Sequence, residues 1–254
     1  PIVKETPNST SYSLNKEITV SETDGIIKAD GTYNFEVTVT DKVGKTTTKT
    51  LNAIVDTKAP TVEFKSHANG NIVTTVPFEI EGTVTDAGSG ISTEGRTFVL
   101  KQGETVIQSG ALTVQANGMW TQEIGKDDTG SLMTTEGDYA IQVSLNDNAG
   151  KTSTQTVNVV YDKALPQLSV TSGNSVTTNG NVVISGKSWD TYGLKENGSV
   201  VITLKDANAN IVRSFTPEVA KTTSEPTDNN WEETIEVGEG KSIETDGKYT
   251  VEIK

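Results

Sequence analysis

Gly137-Asp138-Tyr139-Ala140-Ile141-Gln142-Val143-Ser144-Leu145-Asn146-Asp147-Asn148-Ala149-Gly150-Lys151 alternates apolar and polar residues from Tyr139 to Leu145, then breaks into an Asn/Asp/Gly run. Alternation with a period of two puts one set of side chains on one face of an extended chain, so this stretch predicts a half-buried strand followed by a turn. The same pattern stands at Gly31-Thr32-Tyr33-Asn34-Phe35-Glu36-Val37-Thr38-Val39-Thr40-Asp41-Lys42-Val43-Gly44-Lys45, and a third copy at Gly247-Lys248-Tyr249-Thr250-Val251-Glu252-Ile253-Lys254. From Tyr33 to Tyr139 the offset is 106 residues, and Asp56-Thr57-Lys58-Ala59-Pro60 keeps it with Asp162-Lys163-Ala164-Leu165-Pro166. Self-similarity at a fixed spacing means tandem structural units. Pro60 and Pro166 fix φ and push the residue before them toward extended conformations, so each joint reads as short and stiff.

Composition narrows the classes of function. In 254 residues, 34 acidic against 21 basic side chains give a formal net charge of −13. Phosphate binding needs clustered Lys and Arg, so the balance argues against a nucleic-acid partner. Cysteine is absent, which leaves neither a disulfide framework nor thiolate chemistry. No apolar run reaches membrane-spanning length, so membrane insertion is not expected of this segment.

Thr and Val abound, Gly and Asn punctuate, and no apolar stripe has a helical period beyond a turn or two; the fold class expected is all-β. Within residues 57–162 seven strands are predicted: Val62–Lys65 (A), Phe78–Thr85 (B), Thr97–Gln102 (C), Thr105–Gln108 with Leu112–Gln115 (D), Met119–Ile124 (E), Tyr139–Asn146 (F) and Thr152–Tyr161 (G). Asn117-Gly118 is a tight-turn signal between D and E. Seven short strands in such a length, with Gly-x-Tyr heading the sixth, match the pattern of an immunoglobulin-like β-sandwich, in which that Tyr closes the E–F corner through its hydroxyl. Residues 1–56 align with strands D or E through G only, and residues 163–254 supply A to F without G. The expectation is one complete unit and two partial ones, a segment of a longer array.

The joint motif, Ala116-Asn117-Gly118-Met119-Trp120, the Gly-x-Tyr heads and Asn146-Asp147-Asn148-Ala149-Gly150 together resemble the bacterial Ig-like repeats of very large surface adhesins; Asp228-Asn229-Asn230-Trp231 is a looser copy of the Trp motif. The resemblance covers nearly the whole chain. It implies tandem sandwiches acting as a stalk of a biofilm-type adhesin at the bacterial cell surface, with neighbouring Ig-like domains as partners and any host or bacterial glycan or protein bound through other regions. Similar repeats occur in phage and S-layer proteins.

In such a sandwich the start of A, the B–C loop and the F–G turn share one pole, which predicts that Asp56, Asp86 and Asp147 converge. Oxygen-only donors without His or Cys suit Ca²⁺. The next joint repeats the arrangement with Asp162 and Asp190, while the first segment keeps Asp41. Asp30, or Glu136 and Asp138 at the second joint, could add a ligand from the preceding unit's opposite pole. The competing explanation is that Asp in turns bonds nearby backbone N–H groups. His67, the only histidine, lacks any nucleophile pattern around it, and no catalysis is expected. Trp189 and Tyr192 form a candidate sugar-stacking pair, the alternative being a ligand-binding module. Trp120 and Trp231 are expected in the core. A Lys–Asn isopeptide is a third option, with no Lys singled out for it.

Overall fold

The computed structural model describes residues 2–4, 12–173, 175–195, 198–220 and 229–254, and every regular element among them is a β-strand. No helix in the described residues is long and apolar enough to cross a membrane. The chain divides into two compact units, Pro1–Asp162 and Lys163–Lys254.

The first unit opens with a short antiparallel pair, β1 (Ile2–Lys4) and β2 (Tyr12–Leu14), followed by a long hairpin of β3 (Gly31–Thr40) and β4 (Thr46–Val55). Residues 57–162 then form a two-layer sandwich. One layer places β7 (Phe78–Thr85) between β5 (Thr61–Phe64) and β10 (Met119–Ile124). The other runs β6 (Asn71–Val73), β14 (Thr152–Tyr161), β13 (Gly137–Asn146), β8 (Thr97–Gln102), β9 (Thr105–Ala111). A small ribbon, β11 (Lys126–Asp127) with β12 (Gly130–Ser131), closes a loop between the layers' strands.

Alternation decides which side chains enter the core. On β13 the residues Tyr139, Ile141, Val143 and Leu145 are buried, and β14 adds Val157, Val159 and Tyr161. From the facing layer come Val62, Ile80, Val84, Trp120 and Ile124. Full burial of each aliphatic side chain stabilises by about 1.5–3 kcal/mol, so a missing layer is costly.

Trp120, fully buried, lies opposite Gly82 on the neighbouring strand. A Cβ at position 82 would overlap the indole ring and the Glu63 carbonyl, so the glycine leaves the space into which the Trp folds. The Phe64 ring meets Trp120 edge-on, with centroids 5.3 Å apart. Gly110 does the same for Phe98, its cross-strand neighbour. That pairing explains a difference from expectation: β9 runs unbroken through Ser109 and Gly110 to Ala111, and Leu112–Gln115 is no strand. Leu112 is a buried core residue, and Val114 makes a single bridge to Trp120.

β6 is a strand beyond the seven expected, lying between A and B. It pairs in parallel with β14, a partner far away in sequence, and is anchored by Gly70 N–H donating to the Asn158 carbonyl and Asn158 N–H donating to Asn69 Oδ1. Strand A is displaced by one residue, to Thr61–Phe64, and F begins two residues early at Gly137. B, C, E and G fall at their expected bounds.

The second unit repeats the plan. One layer is β15 (Gln167–Val170), β16 (Val182–Trp189), β20 (Asn229–Ile235), β19 (Val219–Ala220); the other is β18 (Ile211–Phe215), β17 (Ile202–Lys205), β21 (Thr250–Ile253). Trp231 lies opposite Gly186, where a Cβ would overlap the ring and the Ser169 carbonyl. The Asp228 position of the second Trp motif lies outside the described residues. In all three repeats the corner tyrosine donates to the carbonyl four residues back: Tyr33 to Ala29 at 2.7 Å, Tyr139 to Thr135 at 2.7 Å, and Tyr249 to Thr245 at 3.0 Å.

Candidate metal centre

Three elements deliver carboxylates to one pole of the 57–162 sandwich. Asp56 follows the last residue of β4, Asp86 the last of β7, and Asp147 the last of β13. Antiparallel pairing of β5 with β7, Thr61 against Thr85, brings the joint to the end of B, while a bridge between Ile91 and Asp147 brings the F–G turn to the B–C loop. One oxygen from each of the three carboxylates lies within 4.8 Å of the others. Asp56 and Asp147 are buried, with Asp147 only 2% exposed, and Asp86 is half-buried.

Most of these oxygens are oriented by backbone N–H groups. Ser89 donates to Asp56 Oδ2 through both its N–H (2.8 Å) and its hydroxyl (2.7 Å), and Lys58 N–H reaches Oδ1 at 3.2 Å. The Ser89 hydroxyl and amide hold the Asp56 carboxyl below its ordinary range. Asp86 Oδ1 accepts from Gly88 N–H (3.1 Å) and Gly90 N–H (2.6 Å), and Asp147 Oδ1 from Lys151 N–H (2.7 Å). Asp147 Oδ2 is buried without any hydrogen-bond partner.

The loops that carry these groups are tied together. Asn148 donates from Nδ2 to the Ser89 carbonyl (2.8 Å) and from its N–H to the Gly90 carbonyl (2.9 Å), and Ala149 N–H donates to Ser89 Oγ (3.1 Å). Gly88 packs so close to the Asp56 carboxylate that a Cβ there would overlap it. Gly88, Ser89 and Asn148 were missed as site residues in the sequence. The available signal was Gly88-Ser89-Gly90, a run that lets backbone N–H groups approach closely.

Repulsion between two carboxylates at about this separation is on the order of 3 kcal/mol at an effective dielectric of about 20. Backbone donors offset part of it, but none reaches Asp147 Oδ2, and a buried unpaired charge is expensive. A hard divalent cation would supply the missing partner. The donor set is all oxygen, as Ca²⁺ requires.

The other expected positions fall as follows. Asp30 reaches the first joint, where Thr57 donates to its Oδ1 through N–H (3.0 Å) and hydroxyl (2.9 Å); it fastens the joint without joining the three-carboxylate cluster. Asp41 Oδ1 caps its own turn, accepting from Val43 and Lys45 N–H groups. Asp190 is buried and accepts from Tyr192 N–H at 2.8 Å. Asp162 belongs to the first unit, where its N–H donates to the Val73 carbonyl, and Asp190 to the second. Trp189 ends β16 half-buried, and Tyr192 is half-buried in the following turn. His67 accepts or donates at Nδ1 to Ser66 Oγ (2.8 Å) and packs on Phe78; burial lowers its pKa.

No protein-family model and no curated protein matches the chain. Among solved structures it is similar, at 19% identity, to a tetra-tandem repeat in the extending region of a large adhesion protein, covering 90% of this chain and 57% of that one with a TM-score of 0.34. It is similar at 19% identity to a 1.5-MDa bacterial ice-binding adhesin (82% and 64% covered, TM-score 0.35). A Ca²⁺-stabilised adhesin with which an Antarctic bacterium binds ice is also similar at 19% identity (87% and 55% covered, TM-score 0.33). The chain spans less than two thirds of the length of each of these three.

Proposed function

We propose that this chain is a structural spacer segment of a bacterial surface adhesin, tandem Ig-like sandwiches whose first joint is stiffened by Ca²⁺ held on Asp56, Asp86 and Asp147. The observation that carries the calcium assignment is Asp147, whose Oδ2 is buried without a hydrogen-bond partner and one of whose carboxylate oxygens lies within 4.8 Å of oxygens of Asp56 and Asp86. The 106-residue repeat and the joint, Trp and Gly-x-Tyr motifs support the spacer role. A tandem array of sandwiches separates what lies at its two ends; its chemistry is binding and mechanical, with the neighbouring repeats as partners. Asp56 stands in the joint itself, next to Thr57, which Asp30 of the preceding repeat holds. An ion at Asp56 therefore couples the 57–162 sandwich to the segment before it.

Extracellular calcium modules bind with Kd of about 10⁻⁴ to 10⁻³ M. At a calcium concentration about a hundredfold above Kd, the folded state gains about 2.7 kcal/mol. For a domain of this size each kcal/mol moves Tm by about 4–8 °C. Thermal melting in calcium against chelator should therefore show the Tm of the 57–162 transition rising by about 11–22 °C. Identical melting curves in calcium and chelator would refute the assignment.

A further inference from the structure

The chain holds four Asn-Gly pairs, and three of them, Asn69-Gly70, Asn117-Gly118 and Asn179-Gly180, lie wholly within the described residues. Glycine has no side chain to shield its backbone nitrogen, so that nitrogen can attack the side-chain amide carbon of the residue before it. All three asparagines are exposed. What separates them is how the two reacting groups are held.

At Asn69 both groups are engaged by one residue of β14. Asn158 N–H donates to Asn69 Oδ1 at 2.8 Å, and Gly70 N–H donates to the Asn158 carbonyl at 2.8 Å. Turning the Asn69 side chain onto the Gly70 nitrogen would break two of the bonds that anchor β6. At Asn117 the turn itself does the holding: Gly118 N–H donates to the Gln115 carbonyl (2.9 Å), Asn117 Oδ1 accepts from Met119 N–H (3.1 Å), and the Gly118 carbonyl accepts from Val84 N–H (2.8 Å). Reaction at either pair requires local opening of the structure.

Asn179 is held by none of these devices. Its side chain makes no hydrogen bond among the described residues, and Gly180 N–H donates to the Thr178 hydroxyl at 3.0 Å, a partner that water replaces readily. The pair lies between β15 and β16, outside any strand. Val176-Thr177-Thr178 repeats Val73-Thr74-Thr75, after which the first unit also runs outside its strands until β7 begins at Phe78, so a loop is what this place in the repeat provides.

We propose that Asn179-Gly180 is a site of spontaneous covalent modification, where the folded chain converts an amide to an acid, while the fold keeps Asn69 and Asn117 unreactive. The Gly180 nitrogen attacks Asn179 Cγ; the new N–Cγ bond closes a succinimide ring, the Cγ–Nδ2 bond breaks, and the Gly180 amide proton leaves with Nδ2 as ammonia. Water then opens the ring at either carbonyl, giving aspartate or isoaspartate. Each event adds a negative charge. The isoaspartyl product also adds a methylene to the main chain just before Asn181, whose Oδ1 accepts from Val237 N–H at 3.0 Å.

The test is incubation of the full chain in mildly alkaline buffer, which favours deprotonation of the attacking amide, followed by trypsin digestion and fragmentation mass spectrometry. Residues 164–187, 66–96 and 102–126 form separate tryptic peptides, one for each pair. The expected result is acid accumulating at Asn179 at least tenfold faster than at Asn69 or Asn117 in the folded chain, with the three rates converging in urea. Gly180→Ala should slow conversion at Asn179 at least tenfold, with circular dichroism confirming the fold; the comparison with urea decides without that variant should it unfold. An unchanged Asn179 in the folded chain, or equal rates at Asn69 or Asn117, overturns the proposal. An ordering that persists in urea would assign the difference to local sequence and overturn the protective role of the fold.

Discussion

The sandwich of residues 57–162 and the unit of residues 163–254 share a packing device and differ in how deeply the first strand is covered, Val62 being buried and Leu168, 106 residues on, exposed. Each buries a Trp against a glycine on the adjacent strand, Trp120 on Gly82 and Trp231 on Gly186, and each closes a corner with a tyrosine hydroxyl. In the first, β14 contributes the buried Val157, Val159 and Tyr161 to the core and lies against β5. The comparison separates two layers of the core: the Trp–Gly contact organises the A–B–E layer in both units, and strand C is buried in both, at Phe98 and Leu100 in the first and at Ile202 and Leu204 in the second.

The sharpest way to break that comparison is to remove the shared device. Trp120→Ala should cost about 3–5 kcal/mol and Trp231→Ala a similar amount, each lowering its own unit's transition in a melt followed by circular dichroism. If Trp231→Ala left the second unit's transition unmoved, the shared role would fail. Next in size, Gly82→Ala and Gly186→Ala force a methyl into the indole and a strand carbonyl, and should cost about 1–3 kcal/mol by overpacking. A neutral or stabilising glycine substitution would contradict the close approach.

Smaller effects distinguish the units. Tyr139→Phe removes a 2.7 Å bond from a buried hydroxyl and should cost about 1 kcal/mol in denaturant titration; Tyr249→Phe, half-buried with a 3.0 Å bond, should cost less. Burial raises the Tyr139 phenol above its ordinary 10.0. A raised folded value means that its contribution is fully present below the unfolded value and is lost as pH climbs through the folded one. Stability of the first unit should thus fall above about pH 10, and Tyr139→Phe should flatten that limb. Smallest is Glu252→Gln, which breaks the 2.6 Å pair with Lys205 on the β17–β21 ladder; both are partly exposed, and the cost should stay below about 1 kcal/mol.

Period-two alternation made the long strands readable: Phe78–Thr85, Thr97–Gln102, Met119–Ile124 and Thr152–Tyr161 stand where the residues placed them. β6 is illegible because three residues paired in parallel with a strand 88 positions later, Asn71 with Val159, leave no local pattern. β9 was split at Gly110 because glycine signals a break, while here it makes room for Phe98. For the site, strand direction alone brought Asp56, Asp86 and Asp147 together. The orienting donors of Ser89 and Asn148 were hidden, since turn residues of their kind occur throughout the chain. Asp30 reached the joint as expected but bonds Thr57, because its carboxylate meets the Thr57 N–H and hydroxyl there.

Isothermal titration of the chain with CaCl₂, beside its Asp147→Asn variant, tests the calcium assignment most directly. The parent should give saturable heat with Kd of about 10⁻⁴ to 10⁻³ M, and Asp147→Asn, which replaces the buried unpartnered oxygen's charge, should weaken binding at the first joint at least tenfold. Heat that is absent in the parent, or unchanged in the variant, would contradict it.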